Sequence, residues 1–177
     1  MTWARELPAR MLGATLDLRP LVEADREPLF LAASDPGIWA GHPASNRHER
    51  AAFTTYFDHL LTSGGSVTVR RRDNEQVIGC SRFYEPPETP GGIAIGSTFL
   101  VRTAWGGAVN RKLKALMLGW AFERHDHVWL HIDPENLRSQ RATAKLGARL
   151  VTTAELVMAG RRGQRQCWRL DRDDFVG

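Results

Sequence analysis

The stretch Trp105-Gly106-Gly107-Ala108-Val109-Asn110-Arg111-Lys112 lies between a strand-like apolar run ending at Val101 and an amphipathic run reaching about Arg124. Leu113, Leu116, Met117 and Trp120 fall at i, i+3, i+4 and i+7, the spacing of one buried helix face. A helix is therefore predicted from about Gly107 to Arg124, and the quoted stretch becomes a strand-to-helix turn. The first N–H groups of a helix have no intrahelical acceptor, and the helix dipole favours an anion at that end. Gly106 and Gly107 let a ligand approach the backbone, Ala108 adds only a methyl group, and Arg111, Lys112 and Lys114 bring positive charge. Small residues followed by basic ones are what a phosphate cradle needs. A glycine-rich helix start that binds nothing would read the same way. No Gly-Lys-Ser/Thr follows, so this is not a Walker A loop, and it lacks the GxGxxG fingerprint.

Upstream, Thr15–Leu21 reads as a strand, and Asp25 can cap a helix reaching Ala33, with Pro28 in its first turn. A polar loop, Ser34–Asn46, carries Trp39 and leads to a helix over Arg47–Leu61. Val67–Arg72 and Gln76–Tyr84 form a predicted hairpin around Asp73-Asn74-Glu75. After a proline-rich loop, Ile93–Val101 is a third β segment, with Gly96 marking a bulge. Downstream come a short strand, Val128–Ile132, a helix over Leu137–Leu146 ended by Gly147, and a hairpin, Leu150–Met158 with Gln164–Leu170, turning at Gly160-Arg161-Arg162-Gly163. The expected fold is mixed α/β in one domain spanning 1–177, with about seven strands, about four helices and a loosely held lead-in over residues 1–12.

The chain has 177 residues, 42% hydrophobic and 25% charged, the composition of a globular domain with a real core. No apolar run approaches 18 residues, so no membrane span is expected, and residues 1–11 do not read as a secretory leader. Cys80 and Cys167 lack metal-ligand spacing; they fit buried thiols in a reducing, cytoplasmic compartment, and a disulfide between them stays open. His125, His127 and His131 alternate, but without a further ligand at zinc-site spacing no metal is expected. The formal net charge of +4 suits a polyanionic ligand. Neither Arg70-Arg71-Arg72 nor Arg161-Arg162 is interleaved with aromatics, so a nucleic-acid groove is not expected.

Past the cradle, the run His131-Ile132-Asp133-Pro134-Glu135-Asn136-Leu137-Arg138-Ser139-Gln140-Arg141-Ala142-Thr143-Ala144-Lys145-Leu146-Gly147-Ala148 follows a strand. It resembles the N-x-x-S-x-x-x-x-x-K-x-G block of the GNAT N-acetyltransferase superfamily, most of all the RimJ/RimL-like branch that acetylates ribosomal-protein N-termini. With the phosphate turn, the resemblance covers about residues 14–171. The chain departs from the pattern in three places. Thr103 stands where the loop commonly has Gln or Arg, Thr143 where many relatives have a tyrosine acid, and uncharged residues around Ala94 where many have a glutamate.

The resemblance implies a sheet splayed between its fourth and fifth strands and direct acetyl transfer from acetyl-CoA to a primary amine in a ternary complex. Backbone groups of Phe99, Leu100 and Val101 would hold pantetheine. The turn Trp105, Gly106, Gly107, Ala108, Val109, Asn110, Arg111 and Lys112 would hold the phosphates. Ser139 would donate to the departing thiolate, or serve as an ordinary first-turn serine. Asn136 would contact pantetheine or water, cap the last helix, or both. Glu155 would be the base, or a solvated partner of a nearby arginine. Arg141 and Lys145, at i and i+4, would reach cofactor phosphates or face solvent. Trp39 would line the acceptor pocket or pack. The expected acceptor is the α-amine of a protein or peptide, with a polyamine, aminoglycoside or amino acid analogue as the alternative. A non-catalytic CoA-sensing or nucleic-acid-binding domain is the rival of another class. Members of the resembled branch often dimerise, so a homodimer is implied.

Overall fold

In a computed structural model, residues 7–158 and 161–175 are described. Expectations for residues 1–6 and for Gly160 at the last turn lie outside them. The strands are β1 (Met11–Leu12), β2 (Leu16–Pro20), β3 (Ser66–Arg71), β4 (Val77–Tyr84), β5 (Ala94–Leu100), β6 (His127–Ile132), β7 (Arg149–Met158) and β8 (Arg161–Asp171). The helices are α1 (Arg26–Ala33), α2 (Pro36–Trp39), α3 (Arg50–Ser63), α4 (Val109–Phe122) and α5 (Leu137–Ala144). All the strands join one sheet, in the order β1-β2-β3-β4-β5-β6-β8-β7.

Strands buried on both faces carry apolar side chains to two cores. Val67, Val69 and Ile78 pack with Leu113, Met117 and Leu118 of α4 on one side. Val77, Cys80 and Phe99 pack with Phe53, Phe57 and Leu60 of α3 on the other. The periodicity that predicted α4 therefore marks a face that is buried against the sheet.

Four details differ from expectation. Met11 is buried and pairs with Leu18, so the predicted lead-in contributes an edge strand. Within the predicted Ser34–Asn46 loop, α2 forms because Pro36 occupies its first position and the Asp35 carboxylate accepts the Gly37 N–H at 2.8 Å. Arg161 and Arg162 lie in β8, paired with Met158 and Val157, rather than in a turn. Asp25 does precede α1, but its buried carboxylate accepts the Val22 N–H and pairs with Arg70 instead of capping the helix.

The sheet is antiparallel except where β5 meets β6. These strands run parallel and share only the Ala94–Trp129 pairing. Just beyond it, a bulge interrupts β5: its register against β4 shifts between Cys80 and Arg82, and Ser97 adopts φ 49°. The Ser97 carbonyl, out of the ladder, accepts from the Tyr56 hydroxyl at 3.2 Å. Gly96 lies beside this bulge, where the sequence expectation put it.

Candidate active site

Beyond the bulge, the separation of β5 and β6 leaves a cavity of about 1140 Å³. Gly96 to Leu100 of β5 form one wall and Leu130 to Asp133 the other. Asn110 and Lys114 of α4, with Ser139 and Thr143 of α5 and its capping residue Asn136, line one end; Trp39, His42, Arg47 and Tyr56 line the other.

The turn from β5 into α4 forms part of the rim. Gly106 adopts φ +72°, which the missing side chain permits. A Cβ added to Gly106 or Gly107 would meet no protein atom within 4 Å, so both face open space. No side chain caps α4, leaving its first N–H groups free for a ligand. The turn is fixed on both flanks. The Trp105 Nε1–H donates to the Leu100 carbonyl at 2.9 Å, and the Arg138 guanidinium lies 4.1 Å from the Trp105 ring centroid. Arg138 also donates to the Ile38 carbonyl at 3.0 Å, linking α5 to α2 across the cavity. An open glycine cradle, an uncapped helix of 14 residues and an adjoining long cleft fit a phosphorylated, elongated ligand.

Residues 15–149 match the acetyltransferase (GNAT) domain family. The chain belongs to that family. It is accordingly an N-acetyltransferase, and family membership supports transfer from an acyl-CoA donor. A structure from Chromobacterium violaceum assigned to the GNAT family superposes with a TM-score of 0.80 at 20% identity, covering 95% of this chain and 89% of that one. A GCN5-related N-acetyltransferase from Brucella melitensis gives 0.74 at 19%, with 93% and 79% covered. Mycobacterium smegmatis RimJ, in complex with CoA-disulfide, gives 0.64 at 16%, with 89% and 82% covered. None of the curated proteins matches the chain. At these identities the superpositions establish the fold.

Of the positions singled out in the sequence of this GNAT domain, Phe99, Leu100, Trp105, Gly106, Gly107, Asn110, Asn136, Ser139 and Trp39 line the cavity. Val101, Ala108, Val109, Arg111, Lys112, Arg141 and Lys145 do not. Lys112 reaches Thr15 at 3.2 Å, and Arg141 and Lys145 are exposed. Asn136 caps α5, its Oδ1 accepting the Ser139 N–H at 3.1 Å, so these two residues are held together at the cavity wall. Trp39 is 2% exposed, donates to the Ala33 carbonyl at 2.8 Å and packs on Phe99. It joins the core and the cavity wall at once. Glu155 is off the cavity, exposed and ion-paired with Arg162 at 2.9 Å. Cys80 and Cys167 are buried free thiols.

The cavity also holds His42, Tyr84 and His131, which sequence patterns did not place there, and Lys114, which the sequence offered only as a charge beside the phosphate turn. Lys114 falls on the apolar face of α4, where burial pushes its amine down to about 7, and Nζ donates to Thr98 Oγ1 at 2.8 Å. Its position four residues before Leu118 was the available signal, since i, i+4 residues share a helix face. Burial, reinforced by the Arg47 charge, pushes His42 down to about 4, so it is neutral at pH 7. Tyr84 and His131 meet in the wall, their hydroxyl and Nδ1 2.7 Å apart. Burial raises the Tyr84 phenol above its ordinary range, keeping it protonated. This contact spans 47 residues of sequence, so no local spacing could announce it.

Proposed function

We propose that this N-acetyltransferase moves an acetyl group from acetyl-CoA directly to the α-amine of a protein or peptide, as a RimJ/RimL-like enzyme. The observation that carries the choice of acceptor is the charge of the cavity. Arg47, Arg82, Arg138, Arg161 and Arg165 line it, against the carboxylates of Glu85 and Asp133. Such a lining repels a polyamine or an aminoglycoside, whose several ammonium groups seek carboxylates, and attracts the phosphates of CoA. A peptide brings one amine and a backbone that neutral walls such as Trp39 and Tyr56 accommodate.

In this reading, the N–H groups at the start of α4, beside Gly106 and Gly107, hold the CoA pyrophosphate. The pantetheine arm lies along Phe99 and Leu100. A backbone N–H at the β5 bulge polarises the thioester carbonyl, a role that gains strength in a site shielded from water. The amine attacks that carbonyl, the C–N bond forms, and the C–S bond breaks. Ser139 and Asn136, fixed at the start of α5, supply hydrogen bonds to the departing thiolate and the pantetheine. Free-thiol release should be measured across peptides with varied N-termini and across spermidine, kanamycin and single amino acids. Turnover with peptides and none with the polycations is expected. Preferred turnover of a polyamine would overturn the choice of acceptor.

A further inference from the structure

We infer that Tyr84, His131 and Glu88 form a hydrogen-bonded proton relay opening onto the acceptor end of the cavity, with the Tyr84 oxygen taking the proton from the attacking amine. The inference rests on the acetyl-transfer reading above and supplies the base which that reading leaves unassigned.

Strand alternation sets the direction. Phe83 and Leu130 point into the α4 core, so Tyr84 and His131, the next residues, face the opposite side of the sheet, where Tyr84 clusters with Ala94, Trp129 and Cys167. Both line the cavity. Tyr84 lies flat against β5 at Gly96, where an added Cβ would stand 2.9 Å from its ring, immediately before the Ser97 bulge. His131 Nδ1 is 2.7 Å from the Tyr84 hydroxyl, and its Nε2 is 2.5 Å from the Glu88 carboxylate. The imidazole has a side-chain exposure of 0%, and Glu88 has 28%, so the chain runs from the cavity to solvent.

Hydrogen-bond accounting fixes the protons. An ionised carboxylate only accepts, so His131 Nε2 carries the hydrogen and donates to Glu88. Nδ1 is then the acceptor, and the Tyr84 hydroxyl donates to it. The lone pairs of the Tyr84 oxygen are thereby left free to accept from an amine in the cavity. As the amine attacks, its N–H bond breaks and a new O–H bond forms at Tyr84. The original tyrosine proton passes to His131 Nδ1, giving an imidazolium stabilised by Glu88. That proton later leaves to solvent past the partly exposed carboxylate. Tyr84 touches the substrate; His131 and Glu88 act through it. The other ionisable groups facing the relay are Arg82 of β4, 5.7 Å from the Tyr84 ring, and the Cys167 thiol of β8, within 4.8 Å of His131 and Glu88.

The test compares wild type with Tyr84→Phe, His131→Gln, Glu88→Gln, Glu88→Asp and Glu155→Gln, using the amine turned over fastest. For each, kcat and KM are measured against pH, and acetyl-CoA binding is followed by thermal stabilisation. Losing the relay should lower kcat by about 10²-fold or more in Tyr84→Phe and His131→Gln, with KM little changed and the acidic limb of the profile displaced. Glu88→Gln should lose part of kcat and Glu88→Asp recover some of it, because the carboxylate stabilises the imidazolium. Retained acetyl-CoA stabilisation would confirm that the variants fold. Unchanged kcat and pH profile in Tyr84→Phe and His131→Gln would overturn the relay, as would loss of turnover confined to Glu155→Gln. Wild-type protein that binds no acetyl-CoA, or turns over no amine, would instead overturn the acetyl-transfer reading itself.

Discussion

Gly106 and Gly107 are adjacent, yet they should fail in different ways when each is replaced by alanine. Gly106 adopts φ +72°, and a Cβ there would meet no protein atom. Alanine in the left-handed region costs about 1–2 kcal/mol, so Gly106→Ala should lower stability. At about 2–4 °C per kcal/mol for a chain of this size, its melting temperature should fall by roughly 2–8 °C. Gly107 has no left-handed conformation to preserve, and its Cβ position is also empty. Gly107→Ala should therefore leave melting unchanged in the free protein. If the open space above it receives the CoA pyrophosphate, the new methyl group displaces a phosphate from the helix N–H donors. Hydrogen bonds to charged groups contribute about 1.5–3 kcal/mol each, so losing one weakens binding by roughly 10- to 100-fold. Calorimetric titration of acetyl-CoA, paired with thermal melts, reads both effects. Gly107→Ala that binds acetyl-CoA as wild type does would refute the cradle assignment, whatever its stability.

Lys114 should leave its mark on the pH dependence of stability. Its folded pKa, pushed down by burial to about 7, lies below the unfolded value of about 10.4. Between these values the unfolded state binds the extra proton, so this residue should make stability rise with pH, by up to about 1.4 kcal/mol per pH unit. Urea melts at pH 7 to 9.5 should show that rise in wild type relative to Lys114→Met; parallel curves would contradict it. Trp39→Phe keeps an aromatic ring but leaves the Ala33 carbonyl without its donor. Stability should fall by about 1–3 kcal/mol, and the KM of the amine should increase with that of acetyl-CoA unchanged. An unaltered amine KM would assign Trp39 to packing alone.

What the sequence revealed about the fold depended on local pattern. The spacing of Leu113, Met117 and Trp120, the alternation in Val67–Val69 and the glycines at 106 and 147 are short-range features, and the elements they predict are present. The eighth strand escaped because Met11–Leu12 is too short to carry a period and is held by pairing with β2. In the site, the turn at Gly106–Gly107 and the Asn136–Ser139 pair were legible because each lies within one local motif. Glu155 was legible only as a position on a hairpin. Its strand alternation cannot say whether a long hairpin strand faces the cavity or solvent, and here Glu155 is exposed and paired with Arg162. The Tyr84–His131–Glu88 contact joins two strands and a loop, and becomes visible only once β4 and β6 flank β5.

The most direct test of the central claim is thermal stabilisation by acetyl-CoA, compared with free CoA, ATP and NAD. A ligand at 100 times its Kd stabilises by about 2.7 kcal/mol. For a chain of this length that is a rise of roughly 5–11 °C in melting temperature. The account predicts a rise of this size with acetyl-CoA and with CoA, and none with NAD. No shift with acetyl-CoA at millimolar concentration, or an equal shift with ATP and NAD, would contradict it.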